Sequence, residues 1–367
     1  MERQIGRIKA YQIRWILVIA AVMILTIGIL IFWTAGDKAD KGMTERVKTQ
    51  VLISARSQAF SIAEFFKDKQ VDLLLLAESE PVKTMEEKEG RKVLKVYVDN
   101  LYQKSGNVVD VVRVDKSGVI VWNINIKENR EGEGALIADR EYFIWAKEQK
   151  EPGEVFISKP VIARGGLFKG NWAVATATPV FYQGTFNGIV FVSFLVEDLT
   201  KKYITPVALS LETSSLIIAQ DGTIVASNES GLVGRNAIEL AQQKEWKGRE
   251  EMTLLLKSSL EGKEKVVVHP CFRFGGFDNP KKAISSYSPI RVNGNLWSMW
   301  ISVPYEGAIK FAWPIKLGQA QGFALGAIGG LILVLIFVFG VRIAQRDAFV
   351  DGFRDGRDGV KKLKKKS

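Results

Sequence analysis

The sequence has one cysteine and one histidine among 367 residues. A lone Cys271 excludes an intrachain disulfide and leaves only an intermolecular one. Cys271 and His269, two residues apart in VVVHPCFRF, cannot complete a tetrahedral zinc site without carboxylates at ligand spacing, and no such spacing surrounds them. The same scarcity removes Cys-His catalysis and leaves Ser-His-Asp chemistry with His269 as its sole possible base. A structural role is therefore expected for both residues. With no nucleophile motif, metal cluster or paired-carboxylate motif in view, neither an enzyme nor a cofactor is expected.

Acidic residues are the scarcer charge, 40 against 51 Lys and Arg, for a formal net charge of +11. Disorder and collagen-like structure are excluded by the 47% hydrophobic content. A nucleic-acid partner is excluded by where the excess lies. Residues 1–14 carry Arg3, Arg7, Lys9 and Arg14 against Glu2, and residues 342–367 carry nine basic residues against four Asp. The long stretch between these ends is close to neutral.

Each basic end abuts an uncharged apolar run, of 21 residues at 15–35 and 25 residues at 317–341. About 20 apolar residues rising 1.5 Å each cross a bilayer core, so both runs are predicted to span a membrane. Trp15 and Trp33 sit at the edges of the first, as interfacial aromatics do. A cleaved signal peptide is the alternative for that run, but it exceeds an ordinary apolar signal core and no A-x-A site follows it. The positive-inside rule then puts both termini in the cytoplasm and residues 36–316 outside.

The outer segment opens with apolar residues at helical spacing from Met43 to Ala77 (Val47, Val51, Ala55, Ala59, Ile62, Phe66), and Glu86 to Lys104 reads as a second helix. Strands are predicted over 108–114, 119–123, 155–163, 172–182 and 188–196, with a short helix at 138–149 and a hairpin across QGTFN, giving an antiparallel α+β module with helices on one side. The pattern then recurs. GVIVWN at 118–123 is answered by GTIVASN at 222–228, and ATPVFYQGTFNGIVFVSFLVEDL at 177–199 by YSPIRVNGNLWSMWISVPYEGA at 287–308.

A membrane helix, a long outer helix, two tandem PAS-like modules and a second membrane helix resemble the double Cache sensor domain of bacterial and archaeal chemoreceptors, sensor kinases and cyclases. The resemblance implies a cytoplasmic N-terminus at 1–14, membrane helices at 15–35 and 317–341, a long extracytoplasmic helix at 36–80, a membrane-distal module at 81–205, a membrane-proximal module at 206–316 and a basic cytoplasmic tail at 342–367. It also implies that the distal module binds a small ligand and the proximal one transmits the effect.

Amino-acid-binding members carry R-x-[WY]-[WY] on a helix, which matches Arg140, Tyr142 and Phe143 in DREYFIW. An arginine fork with flanking aromatics suits a bidentate carboxylate. The family's Asp for the amine falls at Ser193, and its upstream Tyr falls at Ala135. A buried ammonium facing a serine loses much of its compensation, so a small organic anion is expected in preference to an α-amino acid. Tyr182, Trp122, Trp172 and Arg113 are further candidates for the pocket wall.

Gly318, Gly322, Gly326 and Gly330 recur every four residues in the second apolar run and predict a close-packing helix face, most simply in a homodimer. The 26 residues that follow the run hold no output domain, so the signal is expected to reach a separate cytoplasmic or membrane partner. KKLKKK is placed to touch anionic lipid. The alternative function is an envelope scaffold whose outer domain docks another protein without a small ligand.

Overall fold

In the computed structural model the described residues are 2–309, apart from 107, 208–211, 275 and 277, together with scattered positions between 318 and 346. Residues 45–308 cluster as one compact unit and the two chain ends, 1–44 and 309–367, as another.

A single helix, α1 (Glu2–Glu78), covers the first basic segment, the first apolar run and the predicted outer helix. No Pro breaks it before Pro81, just beyond α2's start; α2 is Glu80–Lys83 and α3 is Glu87–Ser105. Gly106 closes α3 in the left-handed conformation that glycine adopts without a Cβ penalty. Among the described residues no helix is long and apolar enough to cross a membrane. Side chains of much of the first apolar run, and much of the second run altogether, lie outside the described residues.

The first module is a sheet ordered β2-β1-β6-β5-β3, with β4 pairing β5. Its strands are β1 (Val109–Val114), β2 (Ile120–Asn125), β3 (Phe156–Ile157), β4 (Val161–Ile162), β5 (Trp172–Tyr182) and β6 (Thr185–Leu195), with α4 at Glu141–Glu148. The predicted strand at 155–163 is thus two short pieces. Pro160, which has no N–H to give to a ladder, lies between them. A short α5 (Val196–Leu199) then leads to β7 (Ser214–Ala219), β8 (Ile224–Ser227), α6 (Ala237–Gln242), α7 (Arg249–Leu260), β9 (Lys265–Cys271), β10 (Lys281–Val292), β11 (Asn295–Pro304) and α8 (Tyr305–Ile309).

The second sheet runs β8-β7-β11-β10-β9, the same path as the first. The repeat read from the sequence is therefore a repeat of topology, and its turns match in detail. Gln183–Gly184 and Asn293–Gly294 all have positive φ and close two-residue hairpins of the primed type that suits strand twist. Gly118 and Gly222 share φ near 92° and 91°, each at the turn that starts the second strand of its module.

Helix α1 is the common backing of both sheets. Its buried residues Val51, Ala55, Ala59, Ile62 and Phe66 follow helical spacing, and they share one core with Val190 and Phe194 of β6 and with Met299 and Ile301 of β11. Phe65 meets Phe194 at 5.0 Å and Phe66 meets Trp297 at 5.4 Å, both edge to face, so adjacent residues of one helix grip the two modules. Each such buried ring contributes roughly 2–3 kcal/mol. In the first module α1 and α3 cover one face of the sheet while α4 packs on the other, against β5 and β6. Helices thus cover both faces of the sheet, not the single face expected from the sequence pattern. It is the free face under α4 that leaves room for a cavity.

Candidate functional site

Strand β1 decides which side chains meet. Successive residues point to opposite faces, so Val109, Val111 and Arg113 lie towards α1–α3, and Asp110, Val112 and Val114 lie under α4. Under α4 the sheet borders a cavity of about 50 Å3 whose wall includes Asp110, Asn123, Arg140, Tyr142, Phe191 and Ser193.

Arg140 is the N-cap residue of α4, with an extended backbone, φ −74° and ψ 140°, that turns its side chain to the cavity mouth. Its Nη2 donates to the carbonyl of Ile162 at 2.9 Å. Asp139, the neighbour that would otherwise neutralise it, is held by Arg164 through two bonds of 2.7 Å. That pairing holds the Asp139 carboxyl below the usual carboxylate range. Among the described residues Arg140 has no carboxylate partner. Tyr142 is buried against Phe191 at 5.2 Å, and burial pushes its hydroxyl up to about 12. Phe143 is also buried but packs on Phe186, away from the cavity wall.

The other candidates lie elsewhere. Trp122 fills the core on the α3 side, so close to Gly90 that a Cβ there would stand 2.4 Å from its ring. Arg113 is wholly buried on that same face, donating to the carbonyls of Val82 and Asn187 at 3.0 and 2.8 Å. Trp172 starts β5, 37% exposed, beside Gly234 of the second module, and Tyr182 sits at the hairpin tip. Ser193 does line the cavity, and across the β1–β6 ladder it stands opposite Asp110.

Asp110 is the residue that sequence reasoning missed. Where β6 has Ser193, the adjacent position on β1 carries a carboxylate. Asp110 is 4% exposed; its Oδ2 accepts from the Leu167 N–H at 3.0 Å, and its Oδ1 has no partner. Burial, offset only in part by the Leu167 N–H, the Asn125 side chain and the Phe168 N–H, pushes its carboxyl up to about 7. Beside it, Asn123 donates through Nδ2 to the carbonyl of Glu131 at 2.8 Å, which leaves its Oδ1 unpaired and buried. Two buried acceptors without donors therefore belong to residues that line one small cavity. The one clue in the sequence was an acidic residue inside a β-branched run, VVDVVRV, where Asp is unfavourable.

Gly165 and Gly166 close the site from the β4–β5 connection. Gly166 has φ +74°, and a Cβ there would sit 2.4 Å from Asp110 Oδ2 and 2.7 Å from Asn123 Nδ2. Gly166→Ala is expected to weaken ligand binding at least tenfold, measured calorimetrically on the full chain, at a stability cost of about 1–2 kcal/mol from the left-handed backbone. Unchanged affinity would show that this loop does not border the ligand.

His269 belongs to the second module and is 1% exposed. Its Nε2 lies 2.8 Å from Ser285 Oγ, Ser285 Oγ lies 2.7 Å from Ser302 Oγ, and Trp300 Nε1 donates to Ser302 Oγ at 2.9 Å. Burial holds the imidazole below its usual range, so it stays neutral within a closed polar chain. No cluster of three metal-ligating side chains occurs among the described residues.

No family model and no curated protein matches the sequence. Solved structures do match in fold. The periplasmic sensory domain of a Campylobacter jejuni chemoreceptor is 14% identical with a TM-score of 0.55, covering 73% of this chain and 98% of that one. An extracellular ligand-binding receptor from Desulfohalobium retbaense is 18% identical with a TM-score of 0.51, covering 69% of this chain; the chain spans only 40% of that receptor's length. The ligand-binding domain of a Pseudomonas fluorescens chemoreceptor in complex with L-serine is 15% identical with a TM-score of 0.50, covering 72% and 99%. The chain thus has the tandem-module fold of extracytoplasmic sensory domains, as its resemblance to double Cache domains implied. At these identities the likeness is one of fold.

Proposed function

We propose that the chain is a membrane-anchored extracytoplasmic sensor whose first module binds a small α-amino acid, or a ligand of the same size carrying both an ammonium and a carboxylate. The observation that carries this reading is the pairing, on one cavity, of Arg140 without a carboxylate partner and Asp110 with an unpaired, buried Oδ1 beside the unpaired Oδ1 of Asn123. An ammonium donates to those acceptors and neutralises Asp110, while the ligand carboxylate takes the Arg140 fork. The fit of a serine-bound chemoreceptor domain to the same fold supports the assignment.

A second reading, a plain organic anion, draws on the carboxyl of Asp110 lying near 7. Protonated, Asp110 itself donates to an anion. The two readings differ in the sign of their pH dependence. An ammonium ligand is lost as pH falls through about 7, whereas an anion binds better there.

Anchoring is supported by the two uncharged runs at 15–35 and 317–341 with their basic flanks, in an arrangement with the termini inside and the two modules, 81–205 and 206–316, outside. Helix α1, backing both sheets, is the element through which a shift of β1 and β6 around a ligand reaches the membrane side. Gly318, Gly322, Gly326 and Gly330 are helical, with nothing among the described residues within 4 Å of their missing Cβ positions, which suits a homodimer joined along that face and a separate signalling partner.

The test is calorimetric titration of the full chain, in non-ionic detergent, with the natural amino acids, beside Arg140→Ala. At least one amino acid is expected to bind, and Arg140→Ala to weaken it at least tenfold by removing the carboxylate fork. Equal binding by Arg140→Ala would remove this residue from the site.

A further inference from the structure

The second module holds a larger cavity, about 290 Å3, in the position that corresponds to the ligand cavity of the first. Correspondence follows from register. Leu216 of β7 faces Trp300 of β11 as Val112 of β1 faces Phe191 of β6, and each pair borders its own module's cavity. In the second module α6 and α7 form the cover that α4 provides in the first.

The chemistry of the two cavities differs. Two residues before Leu216, at the place Asp110 holds in the first module, stands Ser214, so the acidic end that suits an ammonium is missing. Leu240, Met252, Leu256 and Trp300 give the second cavity an apolar wall. Its charged groups are basic in excess. Arg273 has a side chain only 7% exposed; its Nε donates to Glu229 Oε1 at 3.1 Å, while its Nη2, 2.7 Å from the same oxygen but poorly aligned, satisfies no hydrogen bond. Arg235 adds a second guanidinium to the wall, and no carboxylate pairs with it among the described residues. Two arginines against one glutamate leave a net positive charge beside an apolar wall.

We propose that this cavity is a second ligand site, independent of the first, which takes a monocarboxylate with an apolar body of roughly six to ten heavy atoms. The apolar body fills the space against Trp300 and Leu256, and the carboxylate meets the unsatisfied Nη2 of Arg273 with Arg235 at its flank. A buried guanidinium that shares one oxygen of one glutamate between Nε and Nη2 leaves donors over, and a second carboxylate is the partner that suits them. The two modules would thus read different chemistries, with α1 backing both.

The test titrates the full chain in non-ionic detergent with phenylacetate and hexanoate, their neutral amides, and acetate, each corrected by a titration into empty micelles. At least one of the two acids is expected to bind saturably, and its amide and acetate at least tenfold more weakly. Arg273→Gln, which removes the charge, and Leu256→Phe, which narrows the cavity, are each expected to weaken the acid at least tenfold, while Asp110→Asn leaves it unchanged. No saturable binding of either acid, or equal affinity for acid and amide, overturns the proposal, and both comparisons use the unaltered chain. Loss of binding in Asp110→Asn assigns the acid to the first module and overturns it as well.

Discussion

Asp110→Asn is expected to reduce amino-acid affinity at least a hundredfold at pH 8 and, at the same pH, to make the ligand-free protein more stable. Asparagine keeps the shape and the acceptor for the Leu167 N–H but carries no charge for the ligand's ammonium. The stability gain follows from the direction of the shift. The Asp110 carboxyl is raised to about 7 in the folded chain, against about 3.9 for an unfolded Asp, so the folded state binds this proton more tightly. Folding is therefore favoured at low pH, and that advantage drains away as pH rises from about 4 to 7. Above pH 7 the buried charge costs at most about 4 kcal/mol, and the asparagine variant escapes it. Thermal unfolding of the two proteins between pH 5 and 8 should show the variant ahead at pH 8 and the gap narrowing towards pH 5. A variant that is less stable at pH 8 and still binds would contradict the role given to Asp110.

Arg113→Leu is expected to destabilise the protein by about 3–5 kcal/mol without changing ligand affinity. Arg113 is fully buried and has carbonyl partners throughout. Its Nε reaches Val82 at 3.0 Å, Nη2 reaches Asn187 at 2.8 Å, and Nη1 reaches Ile189 at 3.3 Å and also the carbonyl of Val114. Burial pushes the guanidinium down to about 10, where it remains charged at neutral pH. This side chain ties α2 to β1 and to the β5–β6 hairpin, and Asn187 reinforces the tie by donating to the Lys83 carbonyl at 2.7 Å. Leucine would leave those carbonyls buried without donors. In a unit of this size the loss corresponds to a fall in Tm on the order of 10 °C, read by thermal unfolding of the full chain. A fall in affinity measured well below the transition, with little change in Tm, would return Arg113 to the ligand site.

These two residues mark where the sequence stopped being legible. The long helix, both module helices near the charged segments and the two hairpins follow from spacing and turn chemistry that a single chain displays. Face assignment in β1 does not. Every residue from Val109 to Val114 is buried, so the polar-apolar alternation that normally separates the two faces of a strand is absent. Asp110 and Arg113, three residues apart, point to opposite faces, and nothing in VVDVVRV distinguishes the cavity side under α4 from the side covered by α1 and α3. The match of Asp110 to Ser193 is a matter of β1–β6 register, set by packing across the whole module. Local resemblance points to a β6 position that holds a serine, and the acidic side chain stands opposite it on the neighbouring strand. Trp122 illustrates the same limit, since a large buried aromatic on β2 suits a pocket or a core equally until its face is known.

The most direct test of the account compares each bound L-amino acid with its 2-hydroxy acid on the full chain at pH 8 and pH 6. The pair differs in the ammonium group and little else, so it isolates the contribution of Asp110 and Asn123. The hydroxy acid is expected to bind at least thirtyfold more weakly at pH 8, and amino-acid affinity to fall between pH 8 and pH 6, as Asp110 takes up its proton. Equal or tighter binding of the hydroxy acid, strengthening as the pH is lowered, would contradict it and identify the first module as a site for organic anions.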